Sequence, residues 1–286
     1  MIKFRRLRLA LNVFLVGLSI SACQNTGDGA ESNENPIRLK GEIVASSRVT
    51  NLNLQSTRFV EGQLVGVTIA DAQSTHDNVA WIADANGYFT NMGADVSWGT
   101  DEITVHAYHP YKAGMSPNSL FSVQTDQSTN EGYLKSDLLW VKKTAVKTDA
   151  PVTLSFAHKL AKLNVKLESD DIDDLGGATI SICGTNIATH FNLQTGELAS
   201  SVEKNIKDIK ASVTTSAAFQ ASCIIIPQTI SGGTAFIKVE HAGIVYEYRL
   251  PESITFGEGK VYTFTITINK NNPGDVGAIV PDMPWG

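Results

Sequence analysis

Long apolar runs are missing from this chain of 286 residues. A membrane-spanning helix needs about 20 consecutive apolar residues. The longest candidate, Leu9 to Ala22, falls short and gives way at once to polar sequence. Helical periodicity is also scarce. Positive charge is not in excess: 23 basic against 29 acidic residues leave a formal net charge of -6. That balance argues against nucleic acid as a partner and against electrostatic binding to anionic lipid. No G-x-S-x-G elbow, H-E-x-x-H pair or phosphate-cradling glycine loop occurs. The Gly257-Glu258-Gly259-Lys260 stretch lacks the spacing of such a loop and precedes a strand where a helix is required. The chain thus offers no nucleophile–base pair, no catalytic residues, no cofactor fingerprint and no metal-ligand spacing.

The N-terminus is informative. Lys3, Arg5, Arg6 and Arg8 precede the short apolar stretch and form the basic region of an export signal. The signal ends in Leu-Ser-Ile-Ser-Ala-Cys, with small residues before Cys23, and looks like a bacterial lipobox. On this reading residues 1–22 are removed and Cys23 carries the lipid. Residues 23–35 hold almost no side chain able to build a core, which predicts a flexible tether. The mature chain is then acidic, exported and lipid-anchored. Of the three cysteines, Cys183 and Cys223 remain, and either a disulfide or two buried free thiols fits an oxidising compartment.

Beyond the tether, short alternating or β-branched runs recur between Gly, Asn, Asp and Pro. Examples are GQLVGVTIA, EITVHAYHPY, ATISICG, TAFIKVEHAG and KVYTFTITI. Many short strands with turn signals between them predict an all-β sandwich architecture. The loop 142–151 is the expected boundary, giving one β-sandwich over 36–150 and a second over 151–286.

Just after that loop lies VTLSFAHKLAKLNVKLE, residues 152–168. Val152, Leu154, Phe156, His158 and Leu160 share one parity, whereas Leu163, Val165 and Leu167 share the other. Side chains alternate faces along a strand, so the apolar face changes phase between Lys159 and Lys162. The phase change makes His158 a hydrogen-bonded hinge residue and not a catalyst. His106 and His109 form H-x-x-H on a strand, where that spacing points them to opposite faces. Asp170, Asp171, Asp173 and Asp174 lack the pattern of a calcium loop and read as a solvated turn.

Taken in order, several blocks resemble the fimbrillin family, the subunits and adhesin-like lipoproteins of Bacteroidales type V pili. They are EIVASSRVTN with FVEGQLVGV, VSWGTDEITVHAYHPY, VQTDQSTNEGYLKSDLLW, VTLSFAHKLAKLNVKL, IIPQTI, and LPESITFGEGKVYTFTITI. The resemblance implies two tandem transthyretin-like β-sandwich domains and a structural or adhesive role without catalysis. It also implies an outer-membrane, cell-surface lipoprotein whose partners are other pilus subunits and a host or bacterial surface ligand. In polymerising members a protease cuts after a basic residue and removes the first strand, and another subunit's strand fills the groove. Carried onto this chain, the cut falls at Arg48, with Arg38 and Lys40 behind it. The donor is the tail 275–286, through Val276, Ala278 and Val280. Pro281 and Pro284 limit its pairing and leave a second reading, a tail packed on its own domain and anchored by Trp285. The alternative function is a non-polymerising surface lipoprotein that binds glycans on a platform of Trp81, Trp98, Trp140 and Tyr111.

Overall fold

The computed structural model describes residues 35–44, 58–199, 204–214, 219–270 and 278–284, with Thr214 and 278–284 described by backbone alone. Among them are twenty strands and one short helix. The first group comprises β1 (Leu39–Ile43), β2 (Leu64–Ala70), β3 (Thr75–Ala83), β4 (Tyr88–Asn91), β5 (Glu102–His109), β6 (Ser119–Ser122), helix α1 (Asn130–Ser136), β7 (Leu139–Val146) and β8 (Val152–His158). The second comprises β9 (Ala161–Glu168), β10 (Thr179–Asn186), β11 (Ala188–Phe191), β12 (Ile206–Lys210), β13 (Ser212–Thr214), β14 (Gln220–Ile225) and β15 (Gln228–Ile230). It continues with β16 (Ala235–His241), β17 (Ile244–Arg249), β18 (Ile254–Phe256), β19 (Lys260–Thr267) and β20 (Ala278–Pro284).

Seven strands of the first group pair in a closed circuit, β1-β4-β3-β2-β5-β7-β8. The second group folds into two main sheets, β12-β10-β16-β17 and β13-β14-β9-β19-β20, with small ladders β11-β6 and β15-β18. The chain is therefore all-β, as its turn-punctuated runs predict. Each body has its own apolar core. Val65, Val67, Trp81, Trp98, Val105, Leu154 and Phe156 belong to the first, and Leu163, Val165, Ile180, Ile224, Phe236 and Phe264 to the second.

β8 alternates strictly between buried and exposed positions. Val152, Leu154 and Phe156 all face the first core, and the strand pairs with β1 and β7. β9 starts three residues later and sends Leu163, Val165 and Leu167 into the second core. The passage between cores lies at Lys159 and Leu160, beyond the loop 142–151 where the sequence pattern puts it. A loop rich in Lys, Thr and Asp marks a surface turn, here the one joining β7 to β8. The step from one core to the other has no long loop, because one nearly continuous strand run serves both.

A second departure is that the segment between β5 and β7 does not stay with the first body. Met115, Phe121, Val123, Tyr133 and Leu138 are buried in the second core, and β6 pairs with β11 of the second body. The same segment carries the seven-residue α1, whose N-cap Thr129 Oγ1 accepts from Gly132 N at 3.0 Å.

Three phenylalanines fill the first core beside β1. Ring centroids are 5.2 Å apart for Phe59–Phe89, 4.9 Å for Phe59–Phe156 and 6.1 Å for Phe89–Phe156, all edge-to-face. Phe156 is fully buried within this triangle. Phe156→Ala should cost about 3–5 kcal/mol of stability. A denaturant titration followed by tryptophan fluorescence reads the loss, since Trp81 and Trp98 sit in the same core; a cost near zero would mean that the triangle does not support the barrel.

Candidate assembly site

β1 is the segment that both closes the first body and lies nearest the chain's N-terminal end. Five of its residues pair parallel with β8, from Leu39↔Val152 to Ile43↔Phe156. Only two pair with β4 on the other side, Leu39↔Phe89 and Lys40↔Tyr88. Ile37 N donates to Val96 O, Gly41 N to Gly87 O and Val44 N to Phe156 O, each at 2.8 Å. The inward parity is Ile37, Leu39, Gly41 and Ile43, all buried, and the outward parity carries Arg38, Lys40 and Glu42. Lys40 and Glu42 are 3.6 Å apart, and the Lys40 ammonium lies 5.7 Å from the Tyr88 ring centre. Removing β1 would uncover the phenylalanine triangle and leave the facing backbone edges of β4 and β8 unpaired.

Arg38 and Lys40 fall on or beside this paired backbone; the Arg38 carbonyl accepts from Val152 N at 2.8 Å. A protease must take its substrate as an extended, unpaired chain, so neither is well placed for cutting. Cys23, Arg48, Val276 and Trp285 lie outside the described residues. Arg58, exposed at the start of the described segment that leads to β2, is a further basic residue that the sequence pattern does not single out.

The tail forms β20, an edge strand paired antiparallel with β19. Ala278 sits opposite Thr265, Ile279 opposite Phe264 and Val280 opposite Thr263, and the register shifts before Met283 meets Val261. Pro281 falls in that irregular stretch, where a missing N–H costs the ladder little. Phe264 is fully buried, whereas Thr263 and Thr265 are partly exposed. Ile279 is thus the register partner of a core residue.

A polar cluster lies where the two bodies meet. His158 Nδ1 donates to Asp137 Oδ1 at 2.9 Å, with both side chains almost fully enclosed. Asp137 ends α1, its backbone N donating to Leu134 O at 3.2 Å. Lys162 is also buried, and burial lowers its ammonium pKa against the opposing pull of Asp137. His109 Nδ1 donates to Leu64 O at 2.8 Å. An aspartate–histidine pair can orient a general base, but this one is closed to any substrate and serves to hold the junction. His106 is half-buried on the outer face of β5, so the H-x-x-H pair is split as its spacing predicts.

Gln127, which sequence reasoning passed over within its Asp-Gln-Ser block, is the clearest clamp. Its fully buried amide donates to Ile224 O and accepts from Ile224 N, both at 2.8 Å. A glutamine in a polar loop gives no local signal of this, since its partner is 97 residues away.

The other candidates disperse. Asp170, Asp171, Asp173 and Asp174 are exposed, and Asp171 accepts from Lys270 N at 2.9 Å through Oδ2. Among the described residues no group of three or more metal-ligating side chains converges. Trp81 and Trp98 are buried in the first core, while Trp140 and Tyr111 pack against the second, so the four do not form an exposed platform. Cys183 and Cys223 are both free. Burial raises the Cys183 thiol to about 11 and pushes Cys223 higher still, which leaves both protonated and unreactive.

The described residues thus hold two apolar cores, one inside the circuit that β1 completes and one against the sheet that β20 edges. The model of the fimbrillin-like family matches residues 47–282, and the chain belongs to that family. It is similar to a Bacteroides uniformis protein named "Putative fimbrium subunit Fim1C", 24% identical over 276 residues, with 90% of this chain and 88% of that one covered. The fold is shared with two crystal structures, each described as a "putative cell adhesion protein". The one from Bacteroides ovatus has a TM-score of 0.71, 21% identity, and 88% of this chain and 98% of its own covered. The one from Bacteroides uniformis has a TM-score of 0.66, also at 21% identity and with the same coverage. Among the described residues no helix is long and apolar enough to cross a membrane.

Acid should loosen the junction. Burial holds the His109 pKa below its ordinary value, opposed by its bond to Leu64 O, the charge of Asp137 and the Leu134 carbonyl. A histidine kept neutral in the fold contributes stability that is complete above an unfolded pKa of about 6.5 and is lost as pH falls toward the lower folded value. Unfolding free energy measured from pH 7.5 to 5 should therefore drop, and the slope should be shallower in His109→Gln; an unchanged slope would remove His109 as its source.

Proposed function

We propose that this chain is a structural or adhesive subunit of a cell-surface fimbrium. In this reading it is exported as a lipoprotein, held at the outer membrane by acyl chains on Cys23, and joined to other subunits by strand exchange. The observation that carries the reading is the construction of β1. It completes the first body from a position where one cut in the residue 45–57 connector would separate it from the rest of the chain. Its hold is lopsided, five residues on β8 and two on β4. The lane it fills is apolar and floored by aromatic rings, which is what an incoming strand needs for affinity and selectivity. The C-terminal strand, bonded on one side only among the described residues, supplies the exchangeable element. A contact between a lane on one copy and a tail on the next is head-to-tail and propagates into a filament. The subunit works by binding, and no catalytic step is involved.

Limited trypsin treatment of the full chain tests this. Cutting after Arg48 should release β1 and convert monomer into a ladder of oligomers that resists mild detergent, and replacing both Arg48 and Arg58 by Gln should abolish the conversion, since a cut after either severs β1. Mass spectrometry of surface material should find acylated Cys23 on precursor and Val49 at the start of assembled subunits. Cleaved protein that has lost β1 yet stays monomeric at high concentration would overturn the strand-exchange reading.

A further inference from the structure

We infer that a cleft at the meeting of the two bodies, on the outer face of β2, β3 and β5, binds one neutral sugar ring at the end or on a branch of a glycan. The inference rests on the adhesive side of the reading above and is independent of strand exchange. The cleft holds about 210 Å³. Pockets for drug-sized ligands run to about 300–1,000 Å³, so this one suits a single ring. Its lining comes from both bodies: Thr68, Thr75, Asp77 and His106 from the first, Leu193 and Gln194 from the second.

Both walls are held in place before any ligand arrives. The β2–β3 ladder breaks register between Val67 and Ile69, and Asn78 takes a left-handed φ of 47°. Such an irregularity re-aims side chains and recurs beside binding sites. Here the Thr68 hydroxyl accepts from Asn78 N at 3.0 Å and donates to Asp77 Oδ1 at 2.7 Å. The Asn78 side chain is tied in turn, its Oδ1 accepting from the Tyr108 hydroxyl at 2.7 Å and its Nδ2 donating to Lys112 O at 3.1 Å. On the other wall, Trp140 of β7 reaches the second body and donates from Nε1 to Leu193 O at 2.8 Å. Its indole packs so closely on Gly196 that a Cβ there would lie 2.4 Å from Trp140 Cε3. The 192–196 loop is thus fixed to the first body, and a ligand has little ordering left to drive.

The open groups match vicinal hydroxyls, each of which donates and accepts. Asp77 Oδ2, the Thr75 hydroxyl and the Gln194 side-chain amide carry no hydrogen bond among the described residues. His106 Nε2 is shielded from water, which leaves Nδ1 as the ring nitrogen open to a ligand. Burial, and after it the charge of Lys142, lowers the His106 pKa. The ring is therefore neutral at pH 7, and Nδ1 donates or accepts according to its tautomer. Ala70, Pro117 and Leu193 offer the apolar surface that the C–H face of a pyranose covers. Other ligand classes fit less well. Asp77 lines the cleft and no Lys or Arg does, which disfavours phosphate, sulfate and acidic sugars. Among the described residues no three metal-ligating side chains converge. A wholly apolar guest would leave the polar lining unpaired.

The test is a glycan array probed with the full chain, followed by titration with methyl glycosides read by ligand-observed NMR. Glycans ending in glucose, galactose, mannose or N-acetylglucosamine should bind, and those ending in sialic or glucuronic acid should not. Asp77→Asn should weaken binding of the preferred glycan by about tenfold or more, and Gln194→Ala by about threefold. Asp173→Asn, an equal change of charge in the exposed acidic turn of the second body, should leave binding unchanged. All three positions are exposed, so thermal unfolding should match the unaltered chain. Where Asp77→Asn lowers the melting temperature, Gln194→Ala and Thr75→Val decide. Binding that survives the cleft variants would overturn the site and leave an adhesive role standing. A preference for acidic glycans would overturn the ligand class. Binding to no glycan would overturn the inference as a whole, whereas the fimbrial reading stands or falls on the trypsin ladder.

Discussion

The edge-to-face triangle of Phe59, Phe89 and Phe156 closes because residue 41 has no side chain. Much of the first body depends on that contact. β8 can alternate so strictly because one of its faces has a continuous aromatic and aliphatic floor. β1 can lie flat between β4 and β8 because its middle residue yields its volume to the rings. A strand placed there in any other register would meet the same obstruction, so the packing that stabilises the body also specifies what may complete it.

The boundary between the bodies relies on a different kind of interaction. Apolar contacts are non-directional and would tolerate sliding, whereas the junction is pinned by buried groups with defined partners. His158 binds Asp137 across the junction, while Gln127 binds both backbone groups of Ile224 and Ser136 Oγ accepts from Gln124 N at 2.9 Å, which fasten the captured segment that carries Asp137 to the second body. Each such group would carry a desolvation cost if its partner moved away, and this turns a greasy contact into a fixed one.

Much of this was legible in the sequence, and the limits have physical reasons. The all-β class followed from strand-length alternating runs, and the phase change after Lys159 announced the passage from one core to the next. A polar loop such as 142–151 looks like a boundary whether it joins domains or only strands. The capture of Met115 to Leu138 by the second body was not legible, because amphipathic spacing says which residues are buried and not beneath which core. Trp81 and Trp98 show the same limit: an aromatic in a strand reads alike as core or as surface. Ala278 and Val280 stood out by alternation, but the register that sets Ile279 opposite Phe264 depends on a residue no local pattern connects to it.

The junction at Lys159 and Leu160 has a mechanical consequence. No slack separates β8 from β9: Lys159 N is tied back to Leu138 O and Gly259 N to Leu160 O. β9 then runs at the centre of its sheet, between β14 and β19. A pull applied to the first body is thus delivered along the axis of a central strand, where many hydrogen bonds resist together in shear and do not open one after another. Strung end to end, such units would behave as stiff links, and their compliance would lie in the joints between copies.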